Sequence, residues 1–186
     1  MEVSSKQVII LGRSPFVEKV KDSLPKLIKR YFTVGINQIV DVYPEVDVAF
    51  FFDKQDLNIY KNNRIVINEL NVNPKISSSL NIETFLHQGE NISLDKNTNV
   101  VGFSELSITS CLNWCYKQGF TTAYLIGHDL NYGQWEYSYS GKILNPAEFK
   151  IKKARDFIYK MNRFMNIYQV NPDSDMALVH IPIELL

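Results

Sequence analysis

The residues best suited to chemistry stand where apolar runs stop. Ala123, Tyr124, Leu125 and Ile126 form an unbroken apolar run, and Gly127, His128, Asp129 and Leu130 come directly after it. Glycine lets a ligand approach the backbone closely. A histidine or a carboxylate beside it can serve as acid, base or ligand. The run 7–11 ends in the same manner at Gly12, Arg13, Ser14 and Pro15, and the run 46–52 ends at Asp53. Buried strands of a parallel sheet that end this way carry polar groups to the carboxyl edge, where open α/β folds keep their ligands.

Each candidate also has a plainer explanation. Gly12 and Ser14 suit a phosphate cradle with Arg13 adding charge, or a tight turn with a capping serine. The turn has neither the three-glycine dinucleotide pattern nor the Walker lysine, which disfavours both classes. Asn37, after Gly35, offers a hydrogen bond to a phosphate or base, or simply a turn. Asp53 suits Mg²⁺ or a ribose hydroxyl, or caps a helix beginning near residue 54. Thr109 and Ser110 open a helix, where hydroxyls meet phosphate or cap the backbone. Beyond Asp129, residues 129–145 hold Tyr132, Trp135, Tyr137 and Tyr139 with two glycines. Such a loop suggests an active-site lid or stacking surface, unless Trp135 merely packs it down. His87 has no motif around it, and His180, in a short apolar run, reads as structural.

Alternating strands and helices must position these groups. Residues 8–11 predict a first buried strand, and Ser14 with Pro15 predicts a capped helix start. Val17, Val20, Leu24, Leu27 and Ile28 follow helical spacing, with Pro25 kinking or restarting the helix. Further strands are expected over 31–35, 46–52, 64–68, 82–86, 122–126, 167–170 and 179–183. Ile108, Cys111, Leu112, Cys115 and Tyr116 make one stripe of a helix over 104–118. Asn145, Pro146 and Glu148 predict a capped helix running to about residue 164. Its core face is Ala154, Phe157, Ile158, Met161 and Met165, with Lys150, Lys153, Arg155 and Lys160 mostly turned away. Together these predict a single α/β, Rossmann-like, three-layer domain over 1–186 with a mostly parallel sheet.

Composition bounds the function. The 186 residues suffice for one substantial core, and 20 basic residues balance 20 acidic ones, so no global field draws nucleic acid or anionic membrane. No apolar run approaches a membrane span, and the first residues lack the basic-then-apolar order of a signal peptide, so a cytoplasmic protein is expected. Cys111 and Cys115 lie four apart on one helix face, an arrangement for reduced thiols rather than a disulfide. No metal-ligand cluster accompanies them, so no metal site is assigned. The glycosylation sequon at Asn91 is a chance match in an Asn-rich chain.

Three of these segments carry a resemblance. Gly12 to Pro15, Val46 to Asp53 and Ile126 to Leu130 resemble the Rossmann-like family of motility accessory factors and archaeal 6-hydroxymethylpterin diphosphokinases. That family shows a glycine-rich turn before Pro-Ser, a strand ending in Asp, and a Gly-x-Asp-Leu segment. The chain is also similar to the Campylobacter-type bacterial sialyltransferases at Asn37-Gln38, at Ile108, Thr109 and Ser110, and at Gly127 and Asp129 followed by Tyr132 and Tyr137. Asn171 to Ser174 is similar to a C-terminal loop of both groups. Arg13 stands where the turn has its second glycine, and Phe16 follows the proline. The resemblance implies a nucleotide-sugar-dependent glycosyltransferase with a CMP-sugar donor and a hydroxyl acceptor. The nucleotide would lie on Gly12, Ser14, Asn37, Thr109 and Ser110. Tyr132 and Tyr137 would steady the leaving phosphate, and His128 or Asp129 would be the base. The alternatives are a Mg²⁺-dependent diphosphokinase with Asp53 and Asp129 as ligands, and a non-catalytic nucleotide-binding module. Oligomerisation is left open.

Overall fold

The computed structural model describes residues 6–53, 56–72, 79–131, 135–136, 143–144 and 146–186. In chain order the first half comprises β1 (Gln7–Leu11), α1 (Phe16–Lys19), α2 (Leu24–Arg30), β2 (Phe32–Ile36), β3 (Val48–Phe51), β4 (Arg64–Asn68), β5 (Ile82–His87) and β6 (Val100–Val101). Then come α3 (Ser107–Lys117), β7 (Thr122–Ile126), β8 (Trp135–Glu136), β9 (Ile143–Leu144), α4 (Glu148–Met161), β10 (Asn166–Gln169) and β11 (Val179–His180). Short 3-10 turns follow β2, precede and follow β4, and end the chain.

Nine strands form one sheet in the order β11-β10-β7-β1-β2-β3-β4-β5-β6, and every pairing in it is parallel. Both faces are covered, so the central strands read as continuous apolar runs. Within β1, Val8 and Ile10 join a core with α3 and α4, whereas Ile9 and Leu11 join a core with α1 and α2. The same alternation splits Phe50 from Ala49 and Phe51 in β3. This is the α/β, Rossmann-like, three-layer fold that the sequence pattern predicts. From β1 the chain steps outward through β2 to β6, then returns to place β7 on the other edge of β1. The strand order therefore reverses between β1 and β7, the position where such sheets form a binding crevice.

Several boundaries differ from expectation. Pro25 restarts rather than kinks: α1 stops at Lys19 and α2 begins at Leu24 with Pro25 in its first turn. Ser14 does not cap α1, because Pro15 is the flanking residue and no side chain caps it. Asp53 does not cap the next turn either; Asp56 does, accepting from the Asn58 amide at 3.2 Å. Ala147 flanks α4, which ends at Met161, and Asn145 lies outside the described residues. Arg155 is buried rather than turned to solvent. The segment 129–145 contains a short antiparallel pairing, with Trp135 opposite Leu144. Cys111 and Cys115 are buried free thiols, as expected. No helix among the described residues is long and apolar enough to cross a membrane.

One buried amide ties α3 to the irregular chain before it. Asn113 is fully buried; its Oδ1 accepts from the Ser93 and Gly102 amides at 2.9 and 2.6 Å, and its Nδ2 donates to the Ser93 carbonyl at 2.8 Å. Gly102 has no room to move, since a Cβ there would lie 2.3 Å from the Asn91 carbonyl oxygen. Asn113→Ala strands two buried donors and an acceptor, each costing about 1–3 kcal/mol unpaired. It is expected to lower stability by about 3 kcal/mol or more in urea unfolding; a loss under ~1 kcal/mol would show that this knot is dispensable.

Candidate functional site

At the point where strand order reverses, the carboxyl ends of β1 and β7 touch through glycine. The Gly12 amide donates to the Ile126 carbonyl at 2.8 Å, and the Ser14 amide to the Gly127 carbonyl at 3.1 Å. A Cβ on Gly12 would lie 2.3 Å from the Gly127 carbonyl oxygen and 2.5 Å from Cε1 of His128. Gly127 has φ of +78°, and a Cβ there would meet Val17 at 2.5 Å. Neither position has space for a side chain.

A cleft of about 450 Å³ opens beside this contact. Gly12 and Arg13 border it after β1, Asn37 after β2, Phe52 and Asp53 after β3, and His128 and Leu130 after β7. Residues 103 and 105–108, which lead into α3, and Lys150 of α4 complete its border. Asn37, Glu105 and Leu130 have φ of 57°, 65° and 52°, and they are the only non-glycine residues with positive φ among those described. All three border the cleft. Asparagine adopts this conformation cheaply, but glutamate and leucine do so at a cost of about 1–2 kcal/mol each, which concentrates backbone strain at one place.

His128 and Asp129 part company. His128 borders the cleft, with its ring against Gly12. Burial pushes its pKa down to about 4, with a hydrogen bond to the Leu11 backbone pulling weakly the other way. The imidazole is thus neutral at pH 7, and its desolvated Nε2 has no partner among the described residues. Asp129 does not border the cleft. Burial raises its pKa, while Ser14, Asn171 and Lys19 oppose the rise and Asp173 adds to it. Ser14 and Asn171 approach the carboxyl group, yet neither Asp129 Oδ1 nor Ser14 Oγ reaches hydrogen-bond geometry with any described residue. Ser14 therefore faces Asp129 rather than the cleft.

Three successive carbonyls hold the chain after β7. Gln169 donates to the His128 carbonyl at 3.0 Å, Ser174 to that of Asp129 at 2.8 Å, and Arg155 to that of Leu130 at 2.9 Å. Asn131 also donates to the Asp173 carbonyl at 3.0 Å. The Asn171 to Ser174 loop is thereby docked beneath the His128 turn. Gln169 and Arg155 were not among the residues expected here. Gln169 leaves a trace as a polar residue between Ile167 and Val170, whereas Arg155, among Lys152, Lys153 and Asp156, leaves none.

Asn37 borders the cleft, and its desolvated Oδ1 has no partner among the described residues. Asp53 is an exposed part of the border. Thr109 and Ser110 are buried outside it. Thr109 Oγ accepts from the Ser104 amide and donates to the Leu106 carbonyl, and Ser110 donates to the Gly102 carbonyl. Their hydroxyls are engaged by backbone groups of residues 102, 104 and 106. Tyr132, Tyr137 and Tyr139 lie outside the described residues, as does most of the expected lid. His180 contacts the Val170 carbonyl through Nε2 at 2.6 Å, a structural role. Among the described residues, no cluster of three or more His, Cys, Asp or Glu could hold a metal ion. Comparison with protein-family models, curated proteins and solved structures finds no match.

The two shifted groups act on stability in opposite senses. His128 binds its proton near pH 4 when folded and near its ordinary 6.5 when unfolded, so its contribution is lost as pH falls through 6.5 toward 4. Asp129, with a raised folded pKa, costs stability that grows as pH rises above its ordinary 3.8. Asp129→Asn is therefore expected to leave stability at pH 7 unchanged or increased. His128 is expected to show a neutral ring by nitrogen-detected NMR down to about pH 5; a midpoint near 6.5 would contradict its burial.

Proposed function

We propose that the protein is a nucleotide-sugar-dependent glycosyltransferase, sialyltransferase-like, that acts in the cytoplasm with a CMP-sugar donor and a hydroxyl acceptor. The observation that carries this reading is the meeting of Gly12, Asn37 and a neutral His128, whose Nε2 has no partner among the described residues, at one cleft on the switch point of a parallel sheet. The donor phosphate lies along the Gly12 turn, with Arg13 supplying charge. The acceptor hydroxyl gives its proton to the His128 ring as its oxygen bonds to the anomeric carbon. The bond from that carbon to the phosphate oxygen breaks in the same step, and the nucleotide leaves as the monophosphate. Tyr132 and Tyr137 steady the leaving phosphate, a role that rests on the resemblance alone. Asp129, which faces Ser14 and Asn171 away from the cleft, is not the base on this reading.

The diphosphokinase reading has less support. Asp53 borders the cleft, whereas Asp129 is turned toward Ser14 and Asn171, so the two carboxylates do not face one Mg²⁺ position. Thermal unfolding with CMP, CDP, UDP, ATP and GTP, each with Mg²⁺ or EDTA, separates the readings. A nucleotide at a hundredfold its Kd adds about 2.7 kcal/mol, a Tm rise of about 5–10 °C. The expected result is a rise with CMP that EDTA leaves intact. CMP-sugar turnover should then fall about 10²- to 10⁴-fold in His128→Ala with CMP binding retained. A rise only with ATP or GTP and Mg²⁺ would favour the diphosphokinase. Binding without turnover would leave a nucleotide-binding module.

A further inference from the structure

The cleft has two chemically different ends. At β1 and β7 it is bordered by Gly12, Arg13 and His128. Beyond Asn37 it presents two aromatic rings that the transferase reading leaves without a task. Phe52 and Phe103 stack with centroids 3.9 Å apart and planes 13° apart, and both rings stay partly exposed on the border. His87 backs the pair at 5.5 and 5.7 Å. A partly exposed aromatic stack beside a polar turn can serve as a ligand surface, because its uncovered apolar area gains on being covered. β1, β2 and β3 are consecutive in the sheet, so the Gly12 turn and Phe52 stand two strand spacings apart, about 10 Å. That span matches a nucleoside monophosphate laid with its phosphate at Gly12 and its base at the rings.

The polar residues on this part of the border include Asn37, Asp53, Glu105 and Lys150. Asp53 and Glu105 bring carboxylates, and Asn37 brings an Oδ1 without a partner among the described residues. Glu105 follows Phe103 by two residues, and Lys150 and Lys153 hold its carboxylate only loosely, at 3.8 and 3.6 Å. Its left-handed backbone, at φ 65°, turns the chain there between β6 and α3. A carboxylate accepts hydrogen bonds and cannot donate them when ionised. It therefore suits a base that carries an exocyclic amino group and rejects one that offers a carbonyl at the same position.

We propose that Phe103, backed by Phe52, is the stacking face for the nucleobase, and that Glu105 beside it selects a base with an exocyclic amino group. This rests on the nucleotide reading of the same cleft and gives it a specificity. The base stacks on Phe103, its amino group donates to Glu105, and the ribose hydroxyls face Asp53.

Titration calorimetry with CMP, AMP, UMP and ribose 5-phosphate tests it. The better of CMP and AMP is expected to bind at least tenfold more tightly than UMP. Phe103→Ala should weaken that nucleotide about 5- to 100-fold while leaving ribose 5-phosphate unchanged. Phe103→Leu keeps apolar bulk without a ring face and should behave like Phe103→Ala, whereas Phe103→Trp should retain affinity. Glu105→Gln, whose amide can both donate and accept, should cut the preference over UMP to below threefold. Undiminished binding in Phe103→Ala, UMP binding as tightly as CMP and AMP, or an unchanged preference in Glu105→Gln each overturns the proposal while the transferase reading stands. No nucleotide binding to the wild-type protein overturns both.

Discussion

The architecture of the site depends on the contact between two backbones, Gly12 and Gly127. Side chains cannot enter it, because the Gly12 Cβ position lies 2.3 Å from the Gly127 carbonyl oxygen. Without that approach the amides of Gly12 and Ser14 would lose the carbonyls of Ile126 and Gly127, which extend the β1–β7 ladder past the strand ends. The contact also directs the residues after β7. Gly127, at φ +78°, reverses the chain so that His128 lies on the cleft and Asp129 turns toward α1 and the loop after β10. One backbone turn thus gives two adjacent titratable residues opposite surroundings.

Holding that turn requires partners from elements far apart in the chain. Gln169, Ser174 and Arg155 take the three carbonyls from His128 to Leu130. A buried carbonyl left unpaired would cost about 1–3 kcal/mol, so these bonds make the turn rigid as well as satisfied. The strained residues Asn37, Glu105 and Leu130 sit around the same cleft. Their cost is offset by two cores that sandwich the sheet, where Phe50, Phe51, Phe85 and Phe157 are fully buried or nearly so. The energy of folding is gained in the layers and part of it is held as a fixed geometry at one edge.

Much of this was legible in the sequence where a single local cause suffices. β1 and β7 are buried on both faces, so their apolar runs stand out, and the glycines that end them mark the site. β6 was not legible, because two residues, Val100 and Val101, are too short to show a period. Serine before proline is the pattern of a helix cap, whereas here Pro15 already has helical angles and the Ser14 hydroxyl faces Asp129. The different surroundings of His128 and Asp129 depend on a turn whose φ the sequence only permits. The roles of Gln169 and Arg155 depend on which carbonyls tertiary packing brings to them. Phe52 and Phe103 are invisible as a pair because β4 and β5 separate β3 from β6 in the sheet, and only the chain between β6 and α3 returns Phe103 to Phe52.

The setting of His128 bears on how a base can work there. An imidazole with pKa near 4 is present wholly as the acceptor form at pH 7, but it is a weak base. What depresses it is burial, so the charged form lacks a counter-charge rather than space. A nucleotide phosphate along the Gly12 turn would place negative charge beside the ring and favour the imidazolium, raising the pKa toward the working range. On the transferase reading the donor therefore prepares the base that will act on the acceptor, and before the donor binds that base stays neutral. An aspartate in the same place would behave in the reverse way, since the phosphate would drive its proton affinity up from an ionised state that burial already disfavours. That asymmetry favours histidine on the cleft and aspartate behind the turn, the arrangement that Gly127 imposes.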